Sequence, residues 1–383
     1  MEACSVYINM KNKNKKLVFG ALFVTCFLLL VTCTANATTT ADISKVSIGA
    51  RAMSMGGAGV AVSGNNPFVN PAVIANTENW ELTSLSTKIN DSVDYKLLSG
   101  SYKTPKGVLG LSYVGAASPA GYNTVDEASL ATASAMYYGS SVIALSYGVK
   151  LGDLMSTSSN MGNMLVGGNI KYFSQGFSGG SVTDTGSGAG LDLGVLFETN
   201  PNFSVGAEVQ NLGINSMTWS TNYSESLASV AKLGCAGKVL DGKVLLAGDI
   251  ESSLSDATPV TAHLGAEWKP IALLALRAGL DQAAVDGSVA TNLCAGVGID
   301  YKGFQIDLAY KQDSTLAENS NFYLSFSFSP ENTKKIVVAP VEVKPAKKFD
   351  YPYQSIKAEP LKTAANPINT RAQEYYRSIG MIK

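Results

Sequence analysis

Val260-Thr261-Ala262-His263-Leu264-Gly265-Ala266-Glu267-Trp268-Lys269 changes character at every step. Val260, Ala262, Leu264, Ala266 and Trp268 fall on one side of an extended chain. Thr261, His263, Gly265, Glu267 and Lys269 fall on the other. A period of two is the signature of a strand whose faces meet different surroundings. The pattern recurs in Leu191, Leu193, Val195 and Phe197 against Asp192 and Glu198, and in Phe304, Ile306, Leu308 and Tyr310 against Gln305, Asp307 and Lys311. Phe322, Leu324, Phe326 and Phe328 share one face of a last such segment. Read outward from these stretches, the chain gives about fourteen strands. They lie at 82–88, 95–103, 106–115, 140–150, 164–175, 189–198, 202–211, 227–237, 243–251, 259–268, 271–281, 292–302, 303–311 and 321–328.

The links between them fall into two kinds. Tight turns are expected at Thr104-Pro105, Asn200-Pro201-Asn202, Asp241-Gly242, Lys269-Pro270 and Lys302-Gly303. Longer polar links are expected at 116–139, 176–188, 212–226, 252–258, 282–291 and 312–320. Short and long connections alternate as in a transmembrane barrel, with short periplasmic turns and longer outside loops. The link 151–163 is long where a tight turn is due. An even strand count puts both termini at one end, the periplasmic one.

The two faces decide between a barrel and a secreted β-sandwich. Asp192, Glu208, Asp249, Glu251, Glu267, Arg277, Asp281 and Asp307 lie on the polar face, and the other face is almost purely apolar. Hydrophobic residues make up 46% of the chain and charged ones 15%, against ~25% charged in ordinary soluble domains. Past residue 33 no apolar run is long enough for a helical span. An Arg or Lys facing lipid at mid-bilayer costs ~2–4 kcal/mol, so charges belong inside and apolar residues outside. The expectation is an all-β fold, a transmembrane antiparallel β-barrel of about 14 strands, over 81–329. A closed barrel also satisfies every backbone N–H and C=O in lipid. The net charge of −1 argues against a nucleic-acid partner.

Residues 1–37 read as a signal peptide. Lys11, Lys13, Lys15 and Lys16 precede the apolar run Leu17 to Val31, and Ala35-Asn36-Ala37 is a small-x-small cleavage pattern. Leu30-Val31-Thr32-Cys33 is a poor lipoprotein-like alternative. Of the five cysteines, Cys4, Cys26 and Cys33 fall in this segment, and Cys235 and Cys294 sit in separate strands without metal-type spacing. At the other end, 330–383 is rich in Lys, Arg and Pro and reads as a largely disordered periplasmic tail, with a short helix over Thr370 to Ile379.

Residues 38–80 precede the first strand and contain Gly49-Ala50-Arg51-Ala52-Met53-Ser54-Met55-Gly56-Gly57-Ala58-Gly59, then Asn70-Pro71-Ala72. This stretch is too glycine-rich for a stable helix and too irregular for a strand. Close packing inside the barrel is the available environment, so it is expected to be a plug. The same residues carry a resemblance. Gly-Ala-Arg-Ala-x-x-Met-Gly-Gly-Ala followed by Asn-Pro-Ala resembles the start of PorV/PorQ-type and UPF0164-type outer-membrane proteins, relatives of the FadL-like long-chain fatty acid transporters. Val205-Gly206-Ala207-Glu208-Val209-Gln210-Asn211-Leu212-Gly213 resembles a second stretch of the PorV-like group. The resemblance spans roughly residues 44–328 and implies an outer-membrane barrel with an internal plug. Two departures stand out: Ser63-Gly64-Asn65-Asn66 fills a spacer that is often Asp-rich, and more than fifty residues follow Phe328.

No catalytic constellation is present in the pattern. His263 is the one histidine, too few for a metal site, and Gly56-Gly57-x-Gly59 lacks the Lys-Ser/Thr of a phosphate loop. The expectation is a non-enzyme without cofactor or metal. Its partners would be outer-membrane lipid and either hydrophobic small molecules or secreted cargo proteins. In the channel reading, Gly49, Arg51, Met55, Gly56, Gly57, Asn70, Pro71 and Ala72 form the plug and gate. The alternative is a PorV-like surface shuttle or anchor whose links at 116–139 and 212–226 hold secreted cargo.

Overall fold

A computed structural model describes residues 39–40, 42–46, 49–64, 67–89, 92–118, 122–123, 135–154, 163–179, 182–213, 216–285, 287–314 and 320–330. The signal-peptide and tail expectations lie outside these residues, as do most of 116–139 and of 151–163. Fourteen long strands run in chain order: β1 (Trp80–Ile89), β2 (Val93–Thr104), β3 (Gly107–Ala117), β4 (Ala135–Lys150), β5 (Met164–Gly179), β6 (Val182–Asn200), β7 (Phe203–Gln210), β8 (Val230–Val239), β9 (Val244–Ser253), β10 (Thr261–Ile271), β11 (Leu274–Val285), β12 (Ser288–Tyr301), β13 (Phe304–Gln312) and β14 (Ser320–Phe328). Each pairs antiparallel with the next. The last pairs with the first, Tyr323 opposite Thr87 and Phe328 opposite Leu82. The sheet is a closed barrel of fourteen strands, which leaves none of them with an unpaired edge.

Alternation translates directly into inside and outside. On β10, Leu264 is 54% exposed and Trp268 50%, whereas Glu267 between them is 3% exposed. All eight charged residues assigned to the polar face point inward and are buried or half-buried. The outer face carries Leu111, Leu145, Ile170, Leu293, Ile306 and Leu324, all well exposed. At one rim Trp80, Phe304 and Phe328 form a ring-on-ring cluster, with centroids 5.2 and 4.3 Å from Phe328. Tyr310 meets Phe322 at 5.2 Å toward the other. An apolar band edged by aromatic rings is the surface that a bilayer covers.

The two barrel ends differ. One, the turn end, carries the hairpins at 104–107, 200–203, 239–244, 271–274 and 301–304. At Lys302-Gly303 both central residues have positive φ (49° and 85°), the two-residue turn whose twist matches a hairpin. The other, the loop end, carries the connections at 89–93, 117–135, 179–182, 210–230, 253–261, 285–288 and 312–320. Several expected boundaries shift. The links 176–188 and 282–291 are instead continuations of strands, closing tightly at Gly179 opposite Val182 and Val285 opposite Ser288. There the ladder outruns the apolar band, the outward positions turn mostly small or polar, and the period-two signal fades while the hydrogen bonds continue. The link 212–226 holds a hairpin, Ser216–Trp219 with Ser224–Leu227, that pairs onto β6 at Gly186 to Gly188. Pro270 is not the turn: β10 runs on to Ile271 through an irregular register after Trp268, where a residue without an N–H fits. The long link after β4 opens with one helical turn, Leu151–Leu154.

The start of β1 and the end of β14 share the turn end, as an even count requires. The chain ahead of β1 reaches the opposite end. Thr39 and Thr40 pair in parallel with Ser226 and Leu227, at the loop end. The chain between them and β1 therefore runs the length of the lumen.

Candidate functional site

The segment from Asp42 to Thr77 descends through the barrel in three anchored pieces. Its first piece is held at the loop end. Asp42 is fully buried; its carboxylate accepts from Lys171 Nζ (3.0 Å), Asn211 Nδ2 (2.9 Å) and the Ser44 backbone N–H (2.8 Å). Lys171 is shared with Asp192 at 2.9 Å, and all three charged side chains have zero exposure. Burial alone would raise the Asp42 carboxyl; the Lys171 ammonium and the donated hydrogen bonds outweigh it and hold the pKa at about 2. Beside this pair Tyr95 donates its hydroxyl to the Ile43 carbonyl at 2.6 Å. Ile43 shares an apolar cluster with Tyr95, Leu97, Phe173, Met217 and Leu227.

The second piece is a short helix, α1 (Gly49–Ser54), and the turn after it. Gly49 opens the helix at φ 86°. Arg51 projects to β10 and grips Glu267 with two hydrogen bonds, Nε to Oε2 at 2.9 Å and Nη2 to Oε1 at 3.0 Å. Glu267 also takes Arg277 Nε at 2.7 Å, and Arg277 reaches Asp307 at 2.6 Å. The fork geometry of guanidinium fits two carboxylate oxygens at once. Met55 is 1% exposed. The Gly56 carbonyl and Asp281 Oδ1 both face His263 Nδ1, at 3.1 and 2.9 Å. Two acceptors put the ring proton on that nitrogen. Gly57 donates its N–H to the Ala52 carbonyl at 2.9 Å. Farther on, Gly59 and Val60 both donate backbone N–H groups to Asp249 Oδ2 (2.6 and 2.9 Å).

The third piece is built on Asn70. Its side chain is fully buried, donates to the Val60 carbonyl (2.8 Å) and the Val195 carbonyl of β6 (3.0 Å), and accepts from the Ala72 N–H (3.0 Å). It thereby caps the 3₁₀ helix Pro71–Asn76, with Pro71 at the first position, where no N–H is needed. Ala72 is fully buried among Val73, Ala75, Leu165 and Leu196.

The wall receives this chain in notches. A Cβ on Gly265 or Gly279 would strike the Met55–Gly56 backbone, one on Gly206 the Val60 carbonyl, one on Gly167 the Pro71 carbonyl, and one on Gly194 the Asn70 side chain. At all but Gly194 the plug backbone lies directly against these wall glycines, so plug and wall touch without intervening side chains there. Below the plug, toward the turn end, lies a cavity of about 1540 Å³. Its ceiling is Arg51, Ser63, Val73, Asn76 and Thr77, and its walls carry charges of both signs, including Glu198, Lys238 and Asp300. Ser63 and Asn76 both bond Glu198 (2.9 and 3.1 Å) across the ceiling.

All eight residues proposed from sequence as plug and gate thus lie in one lumen segment. Arg51, Gly56 and Asn70 bond the wall directly, Met55 and Pro71 fill wall notches, Gly49 and Gly57 supply backbone turns, and Ala72 packs. The sequence reading missed the Asp42–Lys171 pair. A lysine on the inward face of β5, among serines, glycines and aromatics, was the available signal. It also left His263 without a role.

No family model and no curated protein matches the chain. Solved structures do. The crystal structure of the P. putida toluene transporter TodX superposes at a TM-score of 0.51 and 13% identity, covering 73% of this chain and 98% of that one. The TodX monoaromatic hydrocarbon channel deltaS2 mutant gives 0.51 at 14% identity (76% and 99%), and the CymD monoaromatic hydrocarbon channel 0.50 at 14% (74% and 97%). At such identities the likeness is one of fold, and it extends over nearly the whole of each of those barrels.

Proposed function

We propose that the chain is a bacterial outer-membrane channel for hydrophobic small molecules, described here with its plug seated. The carrying observation is a closed barrel filled by a segment that a few separable polar anchors hold: Asp42 on Lys171, Arg51 on Glu267, the Gly56 carbonyl on His263, and Asn70 on Val195. Charged and amide contacts of this kind around a glycine-rich chain are devices that can open and reclose. The fold shared with toluene and monoaromatic hydrocarbon channels supports the same reading. The loop end would face outward and the turn end, with its cavity, the periplasm, following the usual arrangement of outer-membrane barrels. The signal peptide and the periplasmic tail belong to this reading. In it a molecule enters at the loop end, the plug residues Gly49 to Ala72 yield, and the wet cavity receives the passenger before release.

The test is the entry of N-phenyl-1-naphthylamine, an apolar dye that fluoresces on reaching phospholipid, into intact cells with a lipopolysaccharide outer leaflet. Cells making the protein should take up the dye faster than cells with an empty vector. The double variant Arg51→Ala/Asn70→Ala should be faster again. Equal rates in all three, together with recovery of a secreted protein bound to the barrel, would replace the channel with the shuttle alternative.

A further inference from the structure

We propose that His263 is a proton-operated latch on the Gly56–Gly57 turn of the plug. Neutral, the ring holds the Gly56 carbonyl with one shared N–H. Protonated, it becomes a cation between Asp281 and Glu251 and holds the turn more tightly. Such a latch sets how firmly the plug is seated at a given pH, whatever the barrel passes.

The ring of His263 projects from β10 against the turn. Nδ1 stands 3.1 Å from the Gly56 carbonyl oxygen and 2.9 Å from Asp281 Oδ1. A Cβ on Gly57 would come within 3.2 Å of the same nitrogen. Both polar neighbours of Nδ1 are acceptors, so the proton of the neutral ring sits there. Nε2 is then left as an acceptor. It is buried without a hydrogen-bond partner among the described residues, and it faces Glu251 Oε2 at 4.0 Å. A bare lone pair turned toward a carboxylate is a poor arrangement, and one proton converts it. Nε2 becomes a donor toward Glu251, and both ends of the ring then face a carboxylate. The Glu251 side chain is 23% exposed, so solvent reaches the side of the ring where that proton enters.

The charges around the ring are one proton short of balance. β9 contributes Asp249 and Glu251, and β11 contributes Asp281. Against these three carboxylates stand two ammonium groups: Lys232 of β8, 3.3 Å from Glu251, and Lys311 of β13, ion-paired with Asp281. The turn itself, Met55 to Gly59, carries no charge. Glu267, farther along β10, belongs to a separate balanced group with Arg51, Arg277 and Asp307. Cys294 of β12 and Tyr323 of β14 lie near Asp281; a thiol and a phenol are mostly uncharged at pH 7.5. A proton on His263 supplies the third positive charge, and histidine is the side chain suited to take one up between about pH 5 and 8. A charged ring donates to the Gly56 carbonyl a hydrogen bond roughly twice as strong as a neutral one. Acid therefore seats this part of the plug, and mild alkali loosens it.

The chain has one histidine, so the ring nitrogen resonances of histidine-labelled, untagged protein in detergent micelles report this ring alone. At pH 7.5 they should show the Nδ1–H tautomer, and at pH 5.0 the charged ring. Hydrogen–deuterium exchange, corrected for intrinsic rate, should find amides 56–60 about fivefold slower at pH 5.0 than at pH 7.5, with β1 and β14 alike at both. His263→Asn keeps an N–H donor near the Nδ1 position and cannot titrate, so its exchange at 56–60 should differ less than twofold between the two pH values. A ring in the same charge state at both pH values, or an Nε2–H tautomer at pH 7.5, overturns the latch. So does a ring that titrates with no change at 56–60, or a contrast that survives in His263→Asn. If His263→Asn does not fold, the resonances and the exchange of the parent protein decide. None of these readouts depends on dye entry, so the latch and the channel reading can fail separately.

Discussion

Lys171→Met is the most informative single change. The ammonium is fully buried and lies 3.0 Å from Asp42 and 2.9 Å from Asp192, two carboxylates that are also fully buried. Methionine has nearly the same length and packs without the charge. Removal of one member of a buried pair leaves an uncompensated buried charge and costs ~3–5 kcal/mol. Here two anions lose their shared cation. Asp192 keeps Asn169 and the Asn211 N–H, whereas Asp42 keeps Ser44 and Asn211. Asp42 stands on the plug and Asp192 on the wall, so moving the chain around Asp42 relieves the repulsion at less expense than unfolding β6. The energy should therefore appear as local opening. Roughly 3–5 kcal/mol corresponds to about 10²–10³ or more in the opening equilibrium. Hydrogen–deuterium exchange on detergent-solubilised protein reads it: amides around 42–46 should exchange faster by at least two orders of magnitude, with β1 and β14 unchanged. The triple variant Asp42→Asn/Lys171→Met/Asp192→Asn should recover most of the loss. Exchange at 42–46 within threefold of the parent would refute the reasoning, because the pair would then not be holding this piece of the plug.

Acid should weaken the same contact. The Asp42 carboxyl has its pKa held at about 2, below its ordinary 3.8, so it stabilises the folded form by ~2 kcal/mol, fully above pH about 4, and this is lost as pH falls toward 2. Exchange at 42–46 measured at pH 5 and pH 2.5, each corrected for intrinsic rate, should show the loss in the parent and not in Asp42→Asn. Asn70→Ala removes a helix cap worth ~1 kcal/mol and strands two buried carbonyls at ~1–3 kcal/mol each; limited proteolysis should begin to cut between Val60 and Asn76, and an uncut segment would count against its anchoring role. Gly56→Ala meets both a φ of 67° and the Leu280 backbone, a strain of ~1–3 kcal/mol. It should lower the temperature at which the unheated, folded band is lost on a denaturing gel, with no shift if the turn can simply rotate away from the wall.

The barrel was legible because its physical cause repeats. Every strand from β1 to β14 must present one face to lipid and one to the lumen, and Val260 to Lys269 writes that rule in ten residues. Legibility ends where the lipid ends. Gly179 and Val182, or Val285 and Ser288, still pair in register, yet most outward positions there are small or polar, Gly176, Ser178, Thr185 and Gln282 among them, so the strands looked like loops. The plug was legible in kind, because Gly49 to Gly59 and Asn70-Pro71-Ala72 need tight surroundings, but not in attachment. Attachment depends on pairs far apart in sequence: Asp42 with Lys171, Arg51 with Glu267, Gly56 with His263. No local pattern records such a pairing. What a single sequence does record is the complement, an inward face with more charge than water-filled space requires. Lys171, Asp192, Glu208, Asp249, Glu267, Arg277, Asp281 and Asp307 are all at most 8% exposed. Charges buried to that degree must meet partners, and the wall's own residues leave Asp249 Oδ2, one side of Lys171 and much of Glu267 for something else to occupy. The plug is what occupies them. The inward charges that keep the outer face clean for lipid are thus the same groups that hold the lumen segment, so a substitution that neutralises the lumen should leave the barrel inserted and loosen its plug.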